Sequence, residues 1–186
     1  MTQSRPQSPT YSARAVWLHW LTAGLILFQW IFGRNIDWFA AGPDRINARS
    51  FHMLVGLVVL VFVVQRLWRR FSHPVAPPEG PRWARAAAVA THGSLYALVL
   101  AVLLAGLFTV WARGDSIFGL FKVPAFDPAH RALRHQAGDF HGLLANLVLG
   151  LAAFHALAAF VHEAVWRDGV LGRMIPVLRK AQAEPS

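Results

Sequence analysis

Nine histidines occur in the 186 residues, and six of them lie in or beside long apolar runs: His19, His52, His92, His141, His155 and His162. An ionisable ring inside a bilayer is costly and faces the interior of a helix bundle. His141 and His155 are 14 residues apart, almost four helical turns, so they share one helix face about 21 Å apart along its axis. Each then needs a partner ring at its own depth. His52 opens the second apolar run and is level with His141, and His19 stands near the start of the first and is level with His155. The spacing predicts two bis-imidazole pairs stacked through a membrane. Two axial imidazoles in an apolar slot between helices suit a low-spin b-type haem. His162 is in phase with His155, and His92 sits near the inner start of the third run. Either could replace His19 as the inner ligand, or could make an interfacial hydrogen bond or contact a haem propionate. Gly56 and Gly142 are placed to let a flat macrocycle approach the backbone, and Phe51, Phe140 and Phe154 to line the slots. His73, His130 and His135 are expected in solvated loops. Zinc is the competing metal, but there is no cysteine and no carboxylate in the run interiors to complete its ligand set.

The elements that must carry these rings are unusually apolar. Hydrophobic residues make up 55% of the chain and charged residues 15%, against about 25% charged in a typical soluble protein. The mean hydropathy is +0.40. Charge-free runs of 19, 16, 27 and 23 residues lie between Arg14 and Arg34, Arg49 and Arg66, Arg85 and Arg113, and Asp139 and Glu163. A span takes about 20 apolar residues. The second run is short, but Arg66 can snorkel while Leu67 and Trp68 extend it. Backbone polar groups must be satisfied internally in lipid, so each run is expected to be a helix. The expected fold is all-α: one transmembrane domain over residues 1–186, a four-helix bundle with spans near 15–33, 50–68, 86–112 and 140–163. Residues 1–10 and 181–186 are expected to be mobile, and the Pro-rich stretch 73–81 to be a loop. The first run has no Ala-x-Ala-like exit and reads as a retained span.

The net charge of +9 does not point to nucleic acid, because the charges are sparse and fall between apolar runs. The absence of cysteine excludes disulfides, iron–sulfur clusters and c-type haem attachment. Eleven Lys and Arg fall on the side of the termini and seven on the other, which places both termini in the cytoplasm. Trp17, Trp30, Trp38, Trp68, Trp111 and Trp166 stand near run ends as interfacial anchors. On the side away from the termini, Arg113, Lys122, Arg131 and Arg134 could steer a small anion inward, or anchor the interface or pair with propionates.

Several local motifs resemble the bacterial cytochrome b561 family. They are Leu18-His19-Trp20-Leu21, His52 with Gly56 running into Arg66-Leu67-Trp68-Arg69-Arg70, Thr91-His92-Gly93-Ser94-Leu95-Tyr96, and Ala112-Arg113-Gly114-Asp115 followed by Phe118-Gly119-Leu120. His141-Gly142-Leu143-Leu144-Ala145-Asn146-Leu147 with His155, and Trp166-Arg167-Asp168-Gly169-Val170-Leu171-Gly172-Arg173-Met174, extend the likeness over roughly residues 12–175. The resemblance implies a bundle holding two haem b, with His19 and His155 as the iron ligands of one and His52 and His141 of the other. It also implies a multi-pass protein of the bacterial inner membrane. It extends to members that oxidise superoxide to dioxygen and pass the electron to ubiquinone. The expected function is thus an oxidoreductase moving single electrons from superoxide to ubiquinone, with Arg113 and Lys122 as candidate steering residues. One alternative is a quinol-linked subunit serving a separate redox protein. A further alternative is a non-haem, histidine-based metal protein of the membrane.

Overall fold

The computed structural model describes residues 12–72, 81–166 and 170–175. The expectations of mobile termini, of a Pro-rich loop and of a solvated His73 lie outside the described residues. Four long helices, each long and apolar enough to cross a membrane, dominate the chain. They are α1 (Ala13–Arg34), α2 (Pro43–Ser72), α3 (Arg82–Arg113) and α4 (Arg131–Val161). A single π-helical turn, His162–Trp166, continues α4, and α5 (Val170–Met174) follows. The protein is an all-α membrane four-helix bundle.

The helices run past the charge-free stretches because good end signals lie outside them. Ser12 caps α1, its hydroxyl accepting from the Ala15 amide at 3.3 Å. Pro43 occupies the first turn of α2, where its missing N–H costs nothing. Asp44 in the first turn of α2 and Arg69 and Arg70 in its last complement the helix dipole. Gly114 ends α3 in the left-handed region, at φ 66°, and its amide closes on the Val110 carbonyl at 3.0 Å. A side chain there would also collide with Ala125 Cβ, 2.9 Å away.

Two features outside the sequence reading shape the side that carries the α1–α2 and α3–α4 connections, here the loop face. Residues 35–42 make a 3₁₀ turn (Ile36–Trp38) tied down by Arg45, which donates to the Phe39 and Asp37 carbonyls. The α3–α4 connection holds a small antiparallel hairpin, β1 (Ser116–Ile117) and β2 (Phe121–Lys122). Phe118 and Gly119 at its tip both have positive φ, 52° and 73°, as a type I′ turn requires. Buried Ser50 on α2 holds that tip: its hydroxyl accepts from the Phe118 amide at 2.8 Å and donates to the Ile46 carbonyl.

The core is thin. Val59, Val63, Val99 and Val148 form its buried centre, with Leu25, Ile26 and Tyr96 packed around it. Val148 is seven residues from both His141 and His155, so this aliphatic layer separates the two histidine levels. Only 11–17% of the apolar stretch of each span is buried, which leaves most of each surface for lipid and for whatever the bundle holds. Helices α3 and α4 pack most closely, and of the adjacent pairs of long helices α1 and α4 touch least. Thr109 ties α3 to α4, sharing its hydroxyl between the Ala105 and Ala137 carbonyls. At the opposite side, the terminal face, α5 is fastened to α1 by Trp20, whose Nε1 donates to the Met174 carbonyl at 2.8 Å.

Candidate functional site

At the terminal face, His19 on α1, His92 on α3 and His155 on α4 come to one level. The ring centres of His19 and His155 are 6.5 Å apart, and those of His92 and His155 are 5.0 Å apart. A metal–imidazole bond is about 2.0–2.1 Å, and the ring centre lies roughly 1 Å behind the nitrogen. Two rings on opposite sides of one iron therefore stand about 6 Å apart, centre to centre. The His19–His155 spacing suits that arrangement, and the His92–His155 spacing is too short for it. Arg66, expected to snorkel outward, instead turns inward: Nη2 lies 3.0 Å from His19 Nδ1, and the guanidinium sits over Tyr96. His162 lies beyond this level, on the π turn.

At the loop-face end, His52 on α2 and His141 on α4 have ring centres 6.1 Å apart and perpendicular planes. His141 Nδ1 is 3.0 Å from the Val102 carbonyl on α3. A carbonyl only accepts, so Nδ1 carries the proton and Nε2 keeps a free lone pair, the state a metal ligand needs. Both rings press on glycines of a neighbouring helix. A Cβ at Gly33 on α1 would fall 2.9 Å from His52 Cε1, and one at Gly106 on α3 would fall 3.0 Å from His141 Cε1. All four long helices thus meet at this pair.

The glycines singled out in the sequence have different surroundings. Gly56 leaves room for Gln29, whose Nε2 donates to the His52 carbonyl at 2.8 Å. Gly142 faces open space. Phe51 joins an aromatic cluster with Phe28 and Phe32, while Phe140 and Phe154 are exposed on the bundle surface. Gly33 and Gly106 escaped the sequence reading, because a glycine's role here is set by the facing helix.

The residues present fit a bis-histidine group at each level. The ring separations leave room for one iron at each level, and at the loop-face pair Gly33 and Gly106 abut the rings and His52 Nδ1 is buried without a hydrogen-bond partner. Among the described residues no cluster of three or more His, Cys, Asp or Glu could hold a bare metal ion.

Above the His52–His141 pair, a cleft of about 300 Å³ is lined by Arg49, Arg113, Asp115, Arg134 and His135. Asp115 is partly buried and pairs with Arg49 at 3.6 Å. Burial pushes its carboxyl above the usual range, against the opposing pull of Arg49 and Arg113. The Arg113 guanidinium lies so close to Gly138 that a Cβ there would clash. Lys122 stands apart, exposed on β2 and outside the cleft lining. His135 is not a loop residue: it lies near the start of α4 beside Arg134 and borders the cleft, because α4 begins at Arg131. His130 precedes the helix and contacts Asp127 at 3.6 Å.

Residues 10–177 match the family model described as prokaryotic cytochrome b561. Cytochrome b562 of Cereibacter sphaeroides is 33% identical over 175 residues, covering 91% of this chain and 97% of the relative. The probable superoxide oxidase CybB of Yersinia pestis is 29% identical over 173 residues, with 91% and 97% covered. Cytochrome b561 homolog 1 of Escherichia coli is 30% identical over 170 residues, with 89% and 97% covered.

Proposed function

The chain belongs to the prokaryotic cytochrome b561 family, whose members are haem b electron-transfer proteins of the membrane, and from that premise we propose that it oxidises superoxide and reduces ubiquinone. The observation that carries this reading is the pair of histidine couples at two depths, 6.5 and 6.1 Å between ring centres, joined by α4. We assign His19 and His155 as ligands of one haem b and His52 and His141 of a second. Haem b held by these histidines would supply a one-electron couple.

The protein's own residues then do three things. First, they hold the rings. The Val102 carbonyl fixes the His141 tautomer, and Gln29 anchors the backbone at His52. A neutral His19 that accepts from Arg66 carries its proton on Nε2. To hold a haem through Nε2, His19 would carry its proton on Nδ1 instead, and the Arg66 guanidinium would then be available to an acidic group. Second, they exclude water from the middle of the bundle, where the Val59, Val63, Val99 and Val148 layer separates the two levels. Third, they gather an anion. Arg49, Arg113 and Arg134 converge at the cleft above His52 and His141, with one half-buried carboxyl among them. That field raises the encounter rate of a small anion such as superoxide, with Lys122 extending it outward. The name of the Yersinia relative and the basic cleft together favour superoxide over a protein donor. The excess of Lys and Arg near the termini supports a cytoplasmic terminal face and a cleft that opens to the other side.

A pulse of superoxide on the purified, oxidised protein tests the reading. Sharp reduced α and Soret bands should develop within the pulse and decay only when ubiquinone is added. Bands that stay oxidised after superoxide, yet reduce promptly with quinol, would assign the protein to a quinol-linked relay instead.

A further inference from the structure

The connection between α3 and α4 is more apolar than a loop surrounded by water. Between Asp115 and Asp127 it reads Ser-Ile-Phe-Gly-Leu-Phe-Lys-Val-Pro-Ala-Phe, with Lys122 its single charge. Leu120 is 91% exposed, Phe121 61% and Phe126 53%. Large apolar side chains exposed together mark a surface for lipid or for another protein. The hairpin pairs Ser116 with Lys122 and Ile117 with Phe121. Cross-strand partners project to the same side, and successive residues to opposite sides. One face of the hairpin is therefore apolar, with Ile117 and Phe121, and the other is polar, with Ser116 and Lys122.

Two contacts set the depth of this segment. At the hairpin tip the Phe118 amide donates to Ser50, the first residue of the charge-free run on α2. Further on, the Phe126 ring centre lies 4.6 Å from that of Trp111 and 6.4 Å from that of Phe108, and the Phe126 amide donates to the Trp111 carbonyl at 3.0 Å. Trp111 and Phe108 belong to the charge-free run of α3 and are themselves exposed. Phe108 is five residues before Arg113, about 7.5 Å deeper. The connection thus turns back along the flanks of the spans, and its exposed side chains continue their lipid-facing surface. Its backbone suits that setting. The Leu120 amide donates to the Ile117 carbonyl and the Val123 amide to the Asp115 carbonyl, each at 3.0 Å, and Pro124 has no N–H. A segment at the edge of the hydrocarbon needs its donors satisfied internally in this way.

We propose that residues 116–126 are an interfacial anchor, seated in the phospholipid surface of the leaflet on the loop-face side. Leu120, Phe121 and Phe126 enter the headgroup–acyl boundary, and Lys122 stays among the phosphates. The observations favour lipid over a docking protein for two reasons. The apolar side chains are continuous with the exposed aromatics of α3, which the bilayer already covers. The one charge is a cation on a long stem, which can reach phosphate while its neighbour Phe121 remains in apolar surroundings. Asp115 lines the basic cleft and Ser116 opens the hairpin, so the anchor holds one wall of the cleft at a fixed height over the membrane. This seating is independent of which donor and acceptor the protein uses.

The chain has no cysteine, so one introduced cysteine takes a nitroxide spin label at a single place. The full-length, haem-loaded protein carrying Leu120→Cys, or Phe121→Cys as a second position, is labelled and reconstituted in vesicles of phosphatidylcholine and phosphatidylglycerol. Power-saturation EPR then reads collisions with dioxygen, which concentrates in lipid, and with a water-soluble nickel chelate. Leu104→Cys within α3 gives the lipid reference, and Ala129→Cys, between Asp127 and Arg131, gives the water reference; both positions are exposed. At Leu120 and Phe121 the nickel collisions should fall about tenfold below those at Ala129, equivalent to about 1.4 kcal/mol of exclusion, while dioxygen collisions approach those at Leu104. Adding Ser50→Ala, which removes the clamp on the tip, should raise the nickel collisions again. Nickel collisions at both positions equal to those at Ala129 would overturn the anchor and put the hairpin in water. Low collisions with both probes would also overturn it, because the label would then be covered by protein, a second copy of this chain or a redox partner.

Discussion

Gly33→Ala puts the loop-face pair under a defined steric load. The new Cβ would lie 2.9 Å from His52 Cε1, whereas carbon atoms rest at about 3.5–4.0 Å. The ring or the helix must therefore shift by about 0.6–1.1 Å. Ligand bonds in a well-formed metal site vary by about 0.2 Å, so the required movement exceeds what a His52–iron–His141 unit absorbs without tilting or losing a ligand. Overpacking of this size costs about 1–3 kcal/mol, enough to lower haem affinity at that level at least several-fold while leaving the bundle folded. The terminal-face pair shares no contact with Gly33. Purified Gly33→Ala should therefore carry about one haem per chain, with the reduced α band near half its wild-type height, while Gly24→Ala on the same helix, where nothing lies within 4 Å of the added Cβ, should bind as wild type. Wild-type haem content, midpoint potentials and band shape in Gly33→Ala would refute the close approach of His52 to α1.

Other substitutions probe the remaining contacts. His92→Ala should keep both haems, since the His92–His155 spacing of 5.0 Å is too short to span an iron; loss of the terminal-face haem, read from haem content, would move the ligand from His19 to His92. Asp115→Asn removes a carboxylate from the cleft and should speed haem reduction by superoxide about threefold at low salt, the effect of about 0.7 kcal/mol for one charge roughly 6 Å away in water. Burial raises the folded Asp115 pKa above its unfolded value, so its stabilising contribution is complete below the unfolded pKa and fades as pH rises through the folded one; thermal melts of Asp115→Asn should lack that acid-side gain. Arg113→Gln combined with Lys122→Gln should slow the superoxide step and flatten its salt dependence, because exposed charges are screened over about 10 Å at 0.1 M salt; an unchanged rate in a stopped-flow salt series would remove the steering role.

The histidine pairs were legible in the sequence because a helix converts spacing into phase and depth. Fourteen residues on α4 suffice to put His141 and His155 on one face, and the two charge-free runs before it set the depths of His19 and His52. The choice between His19 and His92 was not legible. Both lie one or two turns inside the terminal-face end of a span, and only the packing of α1 and α3 against α4 separates 6.5 Å from 5.0 Å. The glycines that pack against the rings were not legible for the same reason. Gly56 and Gly142 are near ligands in sequence, whereas Gly33 and Gly106 are near them across helix interfaces. The hairpin at 116–122 was missed because its strands are two residues each and its tip depends on Ser50, 68 residues away from Phe118. Arg66 looked like a snorkelling end residue, as most span-end arginines are; its inward turn follows from His19 and Tyr96 lying within its reach.

Haem stoichiometry with a redox titration, on the wild type and on His141→Ala and His155→Ala, tests the two-level arrangement most directly. The wild type should hold two haems per chain that titrate as two one-electron steps. His141→Ala should lose the loop-face step and His155→Ala the terminal-face step, each keeping about one haem. One haem per chain in the wild type, or both haems and both steps retained in His155→Ala, would contradict the assignment of one bis-histidine centre to each end of α4.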